Sequence, residues 1–158
     1  MYTLKDRVLI GWISGALGLL TRNVYSYFAK LIGLAKFYIW QLSADLFMDQ
    51  KYIKSFWGNT VGFLADIVFG GLLGIVFIYF LKYTNSKNIV IKGWWYGIAA
   101  WLFLFGMMLH NLPQMQTAPK EALGNFSAFI GHSIYGISMG IYVKILMKKN
   151  NLLNEGRS

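Results

Sequence analysis

From Thr60 to Leu81 the chain carries a single charge, Asp66, and a run of that kind is hard to reconcile with a water-exposed surface. A helix crossing hydrocarbon needs roughly 20 mainly apolar residues, and this window supplies them. Two more windows qualify. Gly93 to Leu109 is uncharged and extends to Leu112 if His110 and Asn111 sit at the interface; Phe126 to Val143 has His132 as its one ionisable group, with Lys144 placed to snorkel to headgroups. An earlier window is interrupted: Val8 to Leu20 is uncharged, but Arg22 and Asn23 follow before Val24, Tyr25, Tyr27 and Phe28. Cut short at Leu20, it reads as the apolar stretch of a cleaved signal peptide behind Lys5 and Arg7. Continued through the polar pair, it becomes a fourth span, which we adopt because the chain repeats.

Shifting the sequence by 66 positions lays Phe63, Asp66, Gly70, Gly74 and Ile75 over Phe129, His132, Gly136, Gly140 and Ile141, and Lys82 over Lys148. A shift of 82 lays Gly11, Trp12 and Gly15 over Gly93, Trp94 and Gly97. The first window therefore resembles the third as the second resembles the fourth. The expected fold is an all-α membrane protein of four transmembrane helices, built as two repeated helical hairpins in one membrane domain over residues 1–158. Repeat one covers about 7–82 and repeat two about 89–148. Each unit has an even number of spans, so the copies share orientation about an axis along the membrane normal.

The two shifts differ, which places an insertion of 28–57 within the first hairpin. Read at 100° per residue, Phe28, Leu31, Ile32, Ala35, Ile39, Leu42 and Leu46 share one arc, with Lys30, Gln41 and Asp45 opposite. That pattern predicts one amphipathic helix, lying in the interface with Tyr38, Trp40 and Tyr52 at headgroup level or packed on the bundle.

Composition agrees with lipid as the main partner. The chain is 56% apolar and 13% charged, with a mean hydropathy of +0.47, where a soluble domain carries about 25% charged residues. Disorder, a collagen repeat and a disulfide scaffold are excluded, and zero Cys removes thiol catalysis and thiolate metal sites. The net charge of +9 does not indicate nucleic-acid binding, because the basic residues flank apolar runs instead of clustering on one face. Lys5, Arg7, Lys82, Lys87, Lys92, Lys144, Lys148, Lys149 and Arg157 fall on one side. Arg22, Lys30, Lys36, Lys51, Lys54 and Lys120 fall on the other with Asp45, Asp49 and Glu121. The excess of basic residues puts both termini in the cytoplasm.

Small residues four apart let helix backbones approach closely in lipid, where little hydrophobic drive exists between helices. Gly11 and Gly15, Gly70 and Gly74, Gly93 and Gly97, and Gly136 and Gly140 supply one such pair per window. They pack the four helices together, or leave a face for a second copy or a membrane-protein partner.

Intramembrane charges cost at least about 2.5–3.5 kcal/mol each, so they face the bundle interior and find partners. Asp66 and His132 occupy equivalent repeat positions at similar depth, and Arg22 and His110 approach the same level. The four form a candidate polar cluster in the outer leaflet. In one reading Arg22 pairs with Asp66 and His132 stays neutral; in a second, the cluster binds or relays a proton, an ion or a polar solute. In a third, His110 and His132 are axial haem ligands. No metal motif, nucleophile elbow or phosphate loop is present, so no resident cofactor or catalytic set is expected. The expected role is a non-enzymatic membrane component that oligomerises or docks to a partner, the alternative being a small transporter or channel subunit.

Lys92-Gly93-Trp94-Trp95-Tyr96-Gly97-Ile98-Ala99-Ala100-Trp101 and Gly131-His132-Ser133-Ile134-Tyr135-Gly136 resemble the second half of small four-span membrane proteins of Gram-positive spore-forming bacteria. That family has no agreed function. The resemblance spans roughly Gly62 to Val143 and implies a multi-pass protein of the bacterial cell membrane. It also implies His at both repeat positions, from which Asp66 departs; this counts against a His-paired metal or haem site.

Overall fold

The computed structural model describes residues 7–108 and 117–149. Lys5, His110, the extension of the third window to Leu112, and Arg157 lie outside the described residues. Those described form helices and connecting turns: α1 (Arg7–Leu31), α2 (Ile39–Ala44), α3 (Gln50–Ile53), α4 (Phe56–Thr84), α5 (Ile89–Trp101) and α6 (Ala122–Lys149). α5 continues as a π-helical stretch, Leu102–Met108. Among the described residues three helices are long and apolar enough to cross a membrane: Phe56–Thr84, Ile89–Met107 and Ala122–Lys149.

The helices run alternately up and down. α1 lies against both α4 and α6, α5 lies along α6, and α4 and α5 meet only lightly. Glycine sets two close crossings. A Cβ on Gly15 would run into the carbonyl oxygen of Gly70 and reach 2.9 Å from the Cα of Gly74; one on Gly74 would strike Gly11 and Gly15. Where α5 crosses α6, a Cβ on Gly136 would strike Gly93 and come within 3.0 Å of the Cα of Gly97. The interfaces are alike in kind but not in register. Gly74 faces Gly11 and Gly15, whereas its counterpart under the 66-residue shift, Gly140, meets Val90. Relative to the 66- and 82-residue shifts, the α5–α6 crossing is displaced by one helical turn, about 6 Å at 1.5 Å per residue.

Polarity is distributed inside out. Arg22, Asn23 and Ser26 of α1, Asp66 of α4 and Ser127 and His132 of α6 are buried, while Leu64, Val68, Leu72 and Val76 of α4 are exposed. α1 follows the same rule: Leu17, Leu20, Val24 and Phe28 point outward. In water this arrangement would expose apolar ridges and bury ions; in hydrocarbon it costs least. Hydroxyl groups bridge helices within the bundle, Tyr135 donating to Gly70 O at 3.1 Å and Tyr96 to Leu73 O at 3.0 Å.

The insertion departs from the single amphipathic helix expected over Phe28 to Leu46. α1 stops at Leu31 because Gly33 takes φ +79°, a conformation that favours glycine. Gly33 N then donates to Lys30 O at 3.1 Å and Leu34 N to Ala29 O at 2.8 Å, closing the last turn. The break resets the helical phase, and the expected faces do not survive it. Gln41 and Asp45, assigned to the polar side, are buried; Leu31, Ile32 and Leu46 are exposed. Gln41 turns inward because its Nε2 donates to Asn59 Oδ1 on α4 at 3.0 Å. At the opposite end, Lys92 Nζ donates to Thr84 O at 2.7 Å and Asn85 O at 2.9 Å, placing a cation on the terminal carbonyls of α4.

Substituting Gly15 or Gly136 by Leu is expected to abolish a folded monomer in detergent, because backbone would have to separate. Gly131→Ala should be tolerated, since its Cβ would meet Tyr25 and Arg22 at ordinary contact distances of 3.5–3.6 Å. Thermal unfolding followed by size-exclusion chromatography distinguishes the two classes.

Candidate functional site

Asp66 lies ten residues past the first residue of α4 and His132 ten past the first of α6. Each is therefore about 15 Å along its helix from the end that carries α2 and α3. Gly70 and Gly136, one turn further on, belong to the tight crossings, so both polar side chains sit beside the close backbone contacts of the bundle.

Arg22 reaches Asp66 from α1. Its Nη2 lies 2.7 Å from both Oδ1 and Oδ2, Asn23 Nδ2 donates to Oδ2 at 3.0 Å, and Ser43 Oγ of α2 donates to Oδ1 at 3.2 Å. Relative exposure is 5% for Arg22 and 3% for Asp66. A charge pair so deep is tolerable only because the remaining lone pairs of the carboxylate are filled by donors. On the cation, Nη2 donates to Asp66 and, at 3.5 Å, to Asn23 Oδ1, while the buried Nε has no partner.

His132 is buried beside this pair. Its Nδ1 lies 2.9 Å from Ala128 O, an acceptor, so Nδ1 carries the hydrogen. The ring stands edge-to-face against Phe105 at 5.1 Å between centroids, and Phe105 comes from the π-helical stretch. A cavity of about 140 Å³ is lined by Arg22, Ser43, Asp66, Phe105 and His132 among mostly apolar neighbours. Of the four residues expected to cluster, three line one chamber; His110 lies outside the described residues. The space is far below that of a ligand pocket of several hundred Å³ and is too small for a haem macrocycle.

A second, larger cavity of about 700 Å³ lies on the other side of Arg22, at the end where α1 finishes and α6 begins. Arg22, Ile39, Leu42 and Phe105 line both spaces. Residues 117–121 close over part of it and are pinned to the insertion twice. Thr117 donates from its backbone N at 2.9 Å and its Oγ1 at 2.7 Å to Asp45 Oδ2, and Lys36 Nζ meets Glu121 Oε2 at 2.7 Å on the exposed rim. Gln50 Nε2 donates to Asp45 Oδ1 at 3.2 Å, so this buried carboxylate is held by donors from two segments.

Asn23, Ser43, Asp45, Phe105 and Thr117 did not emerge as site residues from the sequence. Asn23 carried a signal, being the polar neighbour of Arg22 inside an apolar window. The others depend on how the insertion folds back, which helical periodicity does not encode.

No protein-family model, curated protein or solved structure matches the chain. Its class therefore rests on its own features: an all-helical fold with three helices long and apolar enough to cross a membrane, the mark of a membrane protein.

Removing one partner of the buried pair strands the other charge. Asp66→Ala is expected to destabilise by about 3–5 kcal/mol, while the apolar double variant Arg22→Met with Asp66→Leu should recover most of the loss. Denaturation in mixed micelles would measure both. Asp45→Ala should cost about 1–3 kcal/mol by leaving Thr117 N–H and Oγ1 without their acceptor, and faster proteolysis near residue 117 reports the released segment.

Proposed function

We propose that the chain is a non-enzymatic, four-span protein of the bacterial cell membrane that binds a polar solute, in the manner of a small transporter or channel subunit. Both termini lie in the cytoplasm, α1 is the fourth span, and the spans form two hairpins descended from one. The outward apolar face and buried polar face of α1 support its place in the bilayer. Paired glycine crossings in each hairpin support the duplication. The short helices of the insertion lie at the outer interface, with exposed Phe47, Tyr52, Phe56 and Trp57 beside Lys51 and Lys54.

The observation that carries the solute-binding reading is the meeting of two cavities at Arg22, with Asp66 and His132 on the inner one. An ion pair retained at this depth is expensive as a structural device, and here it stands between a wide outer vestibule and a narrow inner chamber. Docking through glycine faces is less favoured, because all eight glycines of the paired motifs already meet other helices of the same chain. A partner or second copy would have to use other surfaces.

The chain has no Cys, so single cysteines report access cleanly. In intact cells, an impermeant thiol reagent should modify Ala118→Cys, in the outer cavity, and spare Ala16→Cys, buried on α1. Modification of Ala118→Cys only after lysis would overturn the orientation, and protection even after lysis would overturn an accessible cavity. In liposomes, Asp66→Asn that remains folded should lose pH-dependent solute flux; unchanged flux would overturn the transport role.

A further inference from the structure

The larger cavity has a lining biased toward positive charge. Among the described residues Arg22, Lys36 and Lys120 contribute three cations and Glu121 one carboxylate; Lys36 engages Glu121, and Arg22 is paired at 2.7 Å with Asp66 of the inner chamber, which leaves Lys120 as the cation without a carboxylate partner. The first turn of α6 also faces this space through Gly124 and contains no acidic residue. The first hydrogen bond of this helix runs from Asn125 N to Glu121 O, so the amides of Ala122, Leu123 and Gly124 precede it, at the positive end of the helix dipole. Deeper in, the buried Nε of Arg22 has no partner. Lys120 and the α6 terminus favour negative charge at the mouth of the cavity, and at its floor the Nε–H of Arg22, whose charge Asp66 offsets, is a donor without an acceptor.

Size and wall chemistry narrow the occupant. About 700 Å³ falls within the range of pockets for organic ligands and is far more than a bare ion needs. Phe37, Ile39, Leu42 and Phe105 provide apolar wall between the cationic mouth and the Arg22 floor. We propose that the outer cavity binds an organic anion, a carboxylate or phosphate group joined to a compact apolar body. This identifies the solute class for the site proposed above and rests on that reading. The same chemistry is offered by a free solute and by an anionic lipid headgroup.

The test uses the full chain in uncharged maltoside micelles, with unfolding followed by the fluorescence of its six Trp. Hexanoate, hexyl phosphate, hexanol and hexyltrimethylammonium are added at equal concentration, with dihexanoyl phosphatidic acid and dihexanoyl phosphatidylcholine as the lipid arm. Near saturation the anions should raise the midpoint by about 5 °C, and the alcohol, the cation and the zwitterion should not. Lys120→Gln, at an exposed position, should reduce the shift, and Ala118→Trp, which fills the cavity, should abolish it. If Ala118→Trp fails to fold, Lys120→Gln alone carries the comparison. Protection by hexanoate or hexyl phosphate assigns a free solute, and protection by phosphatidic acid alone assigns a lipid. Equal or better protection by hexanol or hexyltrimethylammonium overturns the anion assignment while leaving a solute site in place. Absence of protection by every probe, with wild type and Lys120→Gln indistinguishable, overturns both the anion and the solute-binding reading.

Discussion

Close approach of helix backbones at glycine is the constraint on which the remaining structure depends. Within lipid the hydrophobic effect does not press helices together, so dispersion contacts and a few interhelical hydrogen bonds must do it, and both fall away steeply with distance. Gly11 and Gly15 against Gly70 and Gly74, and Gly93 and Gly97 against Gly136 and Gly140, bring backbones close enough that side chains beyond hydrogen are excluded. With the crossings fixed there, Arg22, Asp66 and His132 lie toward the end bearing the insertion, around the smaller cavity, and the larger cavity lies further out.

The polar site follows from this geometry. Arg22 and Asp66 are on helices that touch through glycine one turn away, so their side chains meet at 2.7 Å without either helix being distorted. Asn23 and Ser43 then occupy the remaining acceptor positions of the carboxylate. His132 is oriented by its own helix through Ala128 O and bounded by Phe105. The π-helical stretch that carries Phe105 widens the helix locally, a deviation that often accompanies functional sites.

The insertion acts as a cap on the bundle. Its α2 lies against α4, with Trp40 Nε1 and Gln41 Nε2 both donating to Asn59 Oδ1 at 3.0 Å. Asp45 then fastens the segment at Thr117, and Lys36 fastens Glu121. The result is a vestibule with a polar floor and a fastened rim, assembled from pieces distant in sequence.

Much of the architecture was legible in the sequence, and the reasons are local. Long uncharged windows specify helices suited to lipid, small residues at fourfold spacing mark their contact faces, and a lone Asp and His inside such windows must turn inward. These inferences need only the period of a helix and the cost of burying charge. Where the chain leaves regular structure, that logic stops. Gly33 broke the amphipathic pattern of the insertion and reversed the exposure expected for Gln41 and Asp45, and the second glycine crossing slid a turn from the register that the repeat implied. The amino-acid sequence by itself determined which long apolar segments are helical, which faces are small and which charges must find partners. Only the tertiary structure decided which partners they found and where space was left between them, because pairings and cavities depend on the summed positions of helices that no local periodicity encodes.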